Sequence, residues 1–159
     1  MAGALGHALD AKVVPEYGRL WCEAHGAETS MADLITIATE HCTRIYAARA
    51  RALEEGRAWL VLDTDPVMTA VWARMLYGRS APFFDQIDSV ADLYIVPDID
   101  LPWVNDGLRY LGGDAERQRF MALSIAELEQ RHLPYVIVSG EGPRRLEMAL
   151  AKVKGLTAS

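Results

Sequence analysis

The order of apolar and polar residues along the chain predicts short strands that alternate with helices. Four short apolar runs have strand length, at residues 12–14, 59–62, 92–96 and 135–138. Between them, apolar residues recur every three or four positions, which is the spacing of one helix face. This alternation predicts an α/β fold with three layers, in which helices cover both faces of a mostly parallel sheet.

Local signals mark where several of the helices begin and end. Ser30 and Asp33 have the spacing of a capping box, and a long helix is predicted to follow them. Asp65 and Pro66 are typical of the N-cap and the first helical position, and Gly78 suits the left-handed residue that ends a helix. Further helices are predicted for residues 1–9, 114–132 and 143–155, the first without a capping residue ahead of it.

Asp63 and Asp65 stand in the turn between the second predicted strand and the helix that follows. In open α/β sheets such a turn lies at the carboxyl ends of the strands, where ligands bind. Capping is a sufficient explanation for Asp65, since an N-cap aspartate stabilises its helix by about 1 kcal/mol. Asp63 has no capping duty, so a metal or substrate role is the hypothesis for it, and a purely structural role stays open.

Two other polar segments contain candidate binding residues. Glu16, Tyr17 and Arg19 follow the first predicted strand, where a turn with a solvated ion pair is the alternative to a binding role. Residues 97–120 combine acids, a tryptophan and three arginines with glycines that allow movement. Arginines on a movable segment suit the binding of phosphates, but the same arginines also fit the solvated face of a helix. Both interpretations stay open.

His41 lies on the apolar stripe of the long predicted helix, with Ile37 before it and Ile45 after it. A histidine in such a stripe is more often part of the core than a ligand. We therefore predict that His41 is packed and hydrogen-bonded.

Composition and charge indicate one folded domain. The chain has 159 residues, 51% of them hydrophobic and 24% charged, which suffices for a single core. Its net charge of −6 argues against nonspecific nucleic-acid binding, which needs a basic footprint. No apolar run approaches the roughly 20 residues that cross a bilayer, so no membrane partner is predicted. Cys22 and Cys42 form neither a CxxC motif nor a disulfide framework, which predicts a reducing, cytoplasmic location.

Four short motifs follow one another in the chain. They are PEYGR at residues 15–19, LDTDPVMT at 62–69, PWVNDGLR at 102–109 and ERQRF at 116–120. In this order they resemble the ribosylnicotinamide kinase domain of NadR-type proteins. That family has a P-loop kinase fold and uses ATP and Mg²⁺ to phosphorylate the 5′-hydroxyl of nicotinamide riboside. The resemblance spans residues 2–150 and implies a kinase of NAD biosynthesis with a nucleoside substrate, although fold transfers more safely than substrate.

The resemblance also implies roles for individual residues. Asp63 would hold Mg²⁺ through water, while Asp65 and Glu16 would bind or activate substrate hydroxyls. The residues that shape the substrate pocket would be Tyr17, Arg19, Trp103 and Asp106. The lid residues on the ATP phosphates would be Arg109, Arg117 and Arg119.

The chain departs from the family pattern in two places. The family begins with a strand and a glycine-rich loop GxxxxGK[ST] that holds the ATP phosphates, and no such motif occurs here. We therefore expect that the first strand and the phosphate loop of the family are missing, and that the strands beside the missing one have unpaired edges. Pro15 stands where some nicotinamide riboside kinases carry a tryptophan thought to stack on the nicotinamide ring, which leaves the substrate open.

Two functions of different classes are compatible with these residues. One is a small-molecule kinase of the nicotinamide riboside type. The other is a noncatalytic or truncated domain that keeps the scaffold and binds a nucleotide, a metabolite or a protein partner. The DNA upstream of the Met1 codon discriminates between them, since it either encodes an in-frame GxxxxGK[ST] or does not. The oligomeric state stays open, and a homo-oligomer is compatible with the sequence.

Overall fold

The computed structural model describes residues 1–88, 91–102 and 113–156. Within these ranges helices and strands follow one another in the predicted alternation. In chain order they are α1 (Ala2–Ala8), β1 (Lys12–Val14), α2 (Tyr17–His25), α3 (Met31–Glu54), β2 (Leu60–Leu62), α4 (Pro66–Tyr77), α5 (Pro82–Asp85), β3 (Tyr94–Pro97), α6 (Asp114–Gln130), β4 (Tyr135–Val138) and α7 (Gly142–Leu156). No helix in the described part of the chain is both long enough and apolar enough to cross a membrane.

The strands form two parallel pairs. β1 pairs with β2, with Lys12 opposite Leu60, and β3 pairs with β4, with Tyr94 opposite Tyr135. Among the described residues no strand joins β2 to β3, so the strands belong to two two-stranded sheets. The predicted α/β class and the parallel strand direction are confirmed, whereas one continuous sheet is not found. The three-layer arrangement stays a prediction.

The predicted capping signals are present at two helix starts. Ser30 Oγ accepts a hydrogen bond from the Asp33 backbone N–H at 3.2 Å, and the Asp33 carboxylate accepts one from the Ser30 N–H at 2.8 Å. This reciprocal capping box starts α3. Asp65 caps α4, and Gly78 ends it with a φ of 67°, a conformation that glycine adopts without strain. The predicted boundaries of α4 are therefore confirmed.

Two helices were not predicted from the sequence, α2 and the four-residue α5, which lies in the connection between the predicted α4 and β3. Residues 17–25 form α2, where the residues after β1 were interpreted as a polar turn. α2 contains no buried residue, and its N-cap Glu16 makes no side-chain capping bond, so the usual capping signal is missing at its start. Tyr17 and Trp21 lie four residues apart on α2, and both pack against the apolar cluster that α3 forms with α4 and α5. This contact attaches α2 to the rest of the fold.

Three apolar clusters join the helices and strands. The first links α3, α4 and α5 through Leu34, Ile37, Ala38, Ala70, Ala73 and Phe84. The second links α1, β2, β4 and α7 through Leu5, Val61, Val138 and Ala149. The third links α4, β3 and α6 through Val67, Tyr94 and Leu128. Because the second cluster contains residues of both sheets, the two sheets share one core.

Candidate active site

A cavity of about 1220 Å³ is lined by residues of both sheets and of α3, α4 and α6. Small-molecule pockets in proteins usually enclose about 300–1,000 Å³, so this cavity has room for a ligand of that size. Its charged and polar lining residues include Glu16, Arg19, His41, Asp63, Asp65, Arg117 and Ser124. Several of the residues that the sequence singled out therefore border one space.

The turn between β2 and α4 separates its two carboxylates. The Asp63 N–H donates to the Val14 carbonyl at 2.8 Å, which extends the β1–β2 ladder to the edge of the turn. Thr64 then adopts a left-handed conformation with a φ of 66°, a strained one for a β-branched residue. After this residue the Asp65 side chain is buried, while that of Asp63 is exposed. Strained backbone of this kind occurs often at binding sites.

Asp65 is bonded through both carboxylate oxygens. Oδ1 accepts hydrogen bonds from the backbone N–H groups of Val67 at 3.0 Å and Met68 at 3.2 Å. Oδ2 accepts one from the Tyr94 hydroxyl at 2.5 Å. The predicted cap is confirmed, and the same side chain also ties β3 to the turn. Burial raises the pKa of Asp65 above its usual value, although these three hydrogen bonds act in the opposite direction.

His41 is packed as predicted, but one ring nitrogen has no partner. Its side chain is 1% exposed, and its Nε2 atom has no hydrogen-bond partner among the described residues. The neighbouring stripe positions on α3, Ile37 and Ile45, are apolar and offer no acceptor or donor. Burial lowers the pKa of His41, the charge of Arg44 acts in the same direction, and the charge of Asp63 opposes both. The predicted hydrogen bonding is therefore not found at Nε2.

Glu16 and Arg19 line the cavity from the start of α2. Their charged groups are 3.8 Å apart, from Arg19 Nε to Glu16 Oε2, and both side chains are partly exposed. Tyr17 does not line the cavity in the described structure. Its ring packs on the α3 cluster, and the Arg44 guanidinium lies 4.4 Å from the ring centre. The fold brings Glu16 and Arg19 to the same space as Asp63 and turns Tyr17 toward the core.

Arg117 and Arg119 differ in their surroundings although both lie on α6. Arg117 lines the cavity, and its Nη2 donates to the backbone carbonyls of Leu101 at 2.8 Å and Ile99 at 3.3 Å. Its Nη1 lies 3.5 Å from the Asp114 carboxylate. Arg119 is exposed, as the solvated-face interpretation predicts. Trp103, Asp106 and Arg109 lie outside the described residues.

Two acids and an arginine link the loops that follow β3 and β4. Arg145 of α7 donates to the Asp98 carbonyl at 2.9 Å and also to the Asp100 carboxylate. The Gly140 N–H donates to Asp100 Oδ2 at 2.5 Å. This backbone hydrogen bond and the nearby Arg145 hold the pKa of Asp100 below its usual value. Sequence reasoning placed Asp98 and Asp100 in a charged loop but gave no sign of these partners, which are 40 or more residues away.

A buried ion cluster fixes the far end of α6. Glu127 is 1% exposed, with Oε1 2.7 Å from Arg131 Nε and Oε2 3.0 Å from Arg74 Nη2. Arg131 also donates to the carbonyls of Phe84 at 2.7 Å and Ile87 at 2.9 Å. Only the four-residue spacing of Glu127 and Arg131 was visible in the sequence. The cluster ties α6 to α4 and to the chain around α5.

Comparisons with known proteins identify the family of this chain. A family model described as an AAA domain matches residues 1–145. The chain therefore belongs to this AAA domain family. It is similar to the trifunctional NAD biosynthesis/regulator protein NadR of Escherichia coli (strain K12), with 33% identity over 132 residues, 79% of this chain and 31% of that protein.

The NadR protein of Salmonella typhimurium (strain LT2) gives the same picture, with 33% identity over 129 residues, 77% of this chain and 30% of that protein. The resemblance to NadR-type proteins that the motifs carry is thereby confirmed. The chain spans less than a third of the length of these relatives.

Proposed function

We propose that this chain is a small-molecule kinase domain of NAD metabolism that transfers a phosphoryl group from ATP to the 5′-hydroxyl of a nucleoside, with nicotinamide riboside as the substrate. The observation that carries the proposal is the Asp63 carboxylate. It stands exposed at the edge of a large cavity, next to a strained residue, in a turn whose capping is already performed by Asp65. The similarity to proteins named for NAD biosynthesis supports the choice of substrate class.

The acids at the cavity edge suit a magnesium ion. Mg²⁺ usually binds through one or two carboxylates and completes its shell with water and substrate phosphates. Asp63 provides one exposed carboxylate, and within the described ranges no three His, Cys, Asp or Glu side chains form a larger metal cage. We assign Asp63 to the ion, held through water. When bound, Mg²⁺ would neutralise the charge that develops on the transferred phosphoryl group.

Glu16 is the proposed partner of the substrate hydroxyl. Glu16 lines the cavity, and its partly exposed carboxylate lies 3.8 Å from Arg19 Nε. The hydroxyl oxygen would form the new bond to the γ-phosphorus of ATP while the bond to ADP breaks, and the hydroxyl proton would pass to Glu16. Asp65 has both oxygens engaged in protein hydrogen bonds, so we assign it the positioning of the turn.

The two described lid arginines receive different roles. Arg117 already donates to two backbone carbonyls of the segment after β3, so its proposed role is to hold that segment. Arg119 is exposed two positions further along α6 and does not line the cavity in the described structure, so a phosphate contact from Arg119 would need a different position of α6. Arginine contacts alone do not replace a backbone phosphate cradle, and the 159-residue chain contains no GxxxxGK[ST] loop. We therefore expect this chain by itself to bind ATP–Mg²⁺ weakly.

The test is a substrate panel with the protein at the full length that its gene encodes. Nicotinamide riboside, adenosine, uridine and thymidine are each incubated with ATP–Mg²⁺, and the nucleoside monophosphate is measured by chromatography. We expect nicotinamide mononucleotide to form fastest. Preference for another nucleoside would correct the substrate. Binding of nicotinamide riboside without any turnover would support the noncatalytic alternative and contradict the kinase proposal.

A further inference from the structure

One buried polar atom beside the cavity is left without a hydrogen bond. His41 Nε2 is enclosed by protein, yet none of the described residues pairs with it. Buried polar atoms in native proteins are nearly always paired, and an unpaired one destabilises the fold. The chain nevertheless has a histidine at this position of an otherwise apolar stripe. An unpaired atom of this kind often marks a role in binding or catalysis.

Few groups near His41 can pair with it. Arg44 is engaged elsewhere, since its Nε donates to Glu40 at 3.0 Å and its guanidinium stacks on Tyr17. Asp63 lines the same cavity as His41, and its charge acts on the imidazole. Its exposed side chain has no hydrogen bond to another described residue. With a lowered pKa, His41 is neutral at pH 7 and carries one N–H.

We propose that His41 is a positioning residue, whose Nε2–H donates to the Asp63 carboxylate and fixes its orientation at the cavity edge. This inference rests on the proposed function in so far as Asp63 acts in phosphoryl transfer. A hydrogen bond of this type keeps a carboxylate oriented toward its ligand, and its loss commonly lowers activity by about 10-fold to 100-fold.

The first experiment compares stability and turnover in three variants of the full-length protein. His41→Leu removes the polar atom, His41→Gln keeps a donor, and Ile45→Val is a control for core disturbance on the same helix, because Ile45 is buried but does not line the cavity in the described structure. We expect His41→Leu to melt within a few degrees of the wild-type temperature, because leucine suits the apolar stripe while one hydrogen bond to an exposed carboxylate is lost. Its kcat should fall by about 10-fold or more.

The other two variants test whether the effect belongs to the hydrogen bond. His41→Gln should recover part of the lost kcat, because its amide retains an N–H donor. Ile45→Val should lower the melting temperature slightly and leave kcat unchanged. A His41→Leu protein that melts lower and keeps its full kcat would show that His41 serves only the core and would overturn the proposal.

A double-mutant cycle separates a contact with Asp63 from a contact with the substrate. If His41 acts through Asp63, His41→Leu should have almost no further effect on kcat in an Asp63→Asn background. If its effect is equally large in both backgrounds, His41 acts directly on the ligand or the fold, and the proposed contact is wrong.

The last measurement does not depend on the identity of the substrate. In the ligand-free protein, ¹⁵N spectra of the histidine rings identify which nitrogen carries the proton. We expect His41 to be protonated at Nε2 and its Nε2 resonance to shift in Asp63→Asn. A resonance that is the same in wild type and Asp63→Asn would contradict the contact, whether or not the protein phosphorylates any nucleoside. Absence of turnover with the expected shift would contradict the proposed function alone.

Discussion

Replacing Asp65 with alanine removes the N-cap of α4 and also the hydrogen bond that joins the turn before α4 to Tyr94 of β3. The cap contributes about 1 kcal/mol and at most about 2 kcal/mol to stability. The buried Tyr94 hydroxyl loses this acceptor, which costs about a further 1–3 kcal/mol. Burial raises the pKa of Asp65, which means that burying the ionised carboxylate costs free energy in the folded protein. Replacement by alanine removes this cost, and this gain offsets part of the lost stability. We expect a net destabilisation of about 2–3 kcal/mol, or roughly 4–12 °C in Tm for a chain of this size.

Three variants divide this loss into its parts in chemical and thermal unfolding. Tyr94→Phe removes only the hydroxyl and should cost about 1 kcal/mol. In the Asp65→Ala background the same change should cost less, because the hydroxyl no longer has this acceptor. Asp63→Asn, at an exposed position of the same turn, should change stability by no more than about 0.5 kcal/mol. The reasoning is refuted if Asp65→Ala is no more destabilising than Asp63→Asn, or if Tyr94→Phe costs the same in both backgrounds.

Two further predictions concern charged groups outside the cavity. Glu127→Leu leaves Arg74 and Arg131 without their buried partner and should destabilise the protein by about 3 kcal/mol, and an unchanged unfolding midpoint in urea would contradict this. The pKa of Asp100 is lowered in the folded state. At pH values above the ordinary aspartate pKa of about 3.9, the ionised Asp100 carboxylate therefore stabilises the folded protein. This stabilisation is lost as the pH falls through the lower pKa of the folded state. The Tm of the wild type should therefore be higher than that of Asp100→Asn at pH 7, and this difference in Tm should shrink below about pH 4. A difference in Tm that is the same at pH 7 and pH 3 would contradict this role of Asp100.

The parts of the fold that were predictable depend on short-range signals. Cap, turn and apolar-run signals act within a few residues of the chain. The sequence therefore predicted the start of α4 at Pro66, the capping box of α3 and the extent of β4. β3 was predicted at residues 92–96 and is found at Tyr94–Pro97, because its bounds follow its pairing with β4. No local pattern encodes the break between the two sheets, although the family resemblance led us to expect strands with unpaired edges.

The candidate site was predictable in its chemistry but not in its contacts. The turn with two carboxylates was recognised, and Asp65 was correctly assigned as the cap. Its bond to Tyr94 joins residues 29 positions apart, so no spacing rule reveals it. The hydrogen bonds from the Arg117 side chain to two backbone carbonyls, and the lack of a partner for His41 Nε2, could not be predicted for the same reason. Each depends on which groups the fold brings near.

The role of Asp63 is the central claim, and the most direct test is the kcat of Asp63→Asn in the full-length protein, measured together with its melting temperature. Asp85→Asn is the matched control, since Asp85 is exposed on α5 and does not line the cavity in the described structure. With nicotinamide riboside and ATP–Mg²⁺, we expect kcat to fall by roughly 100-fold or more in Asp63→Asn and to stay at the wild-type value in Asp85→Asn, because of these two acids only Asp63 has a proposed role at the Mg²⁺ ion. Both proteins should melt close to the wild type. An Asp63→Asn protein with wild-type turnover, and a loss of stability as large as that of Asp65→Ala, would contradict the account.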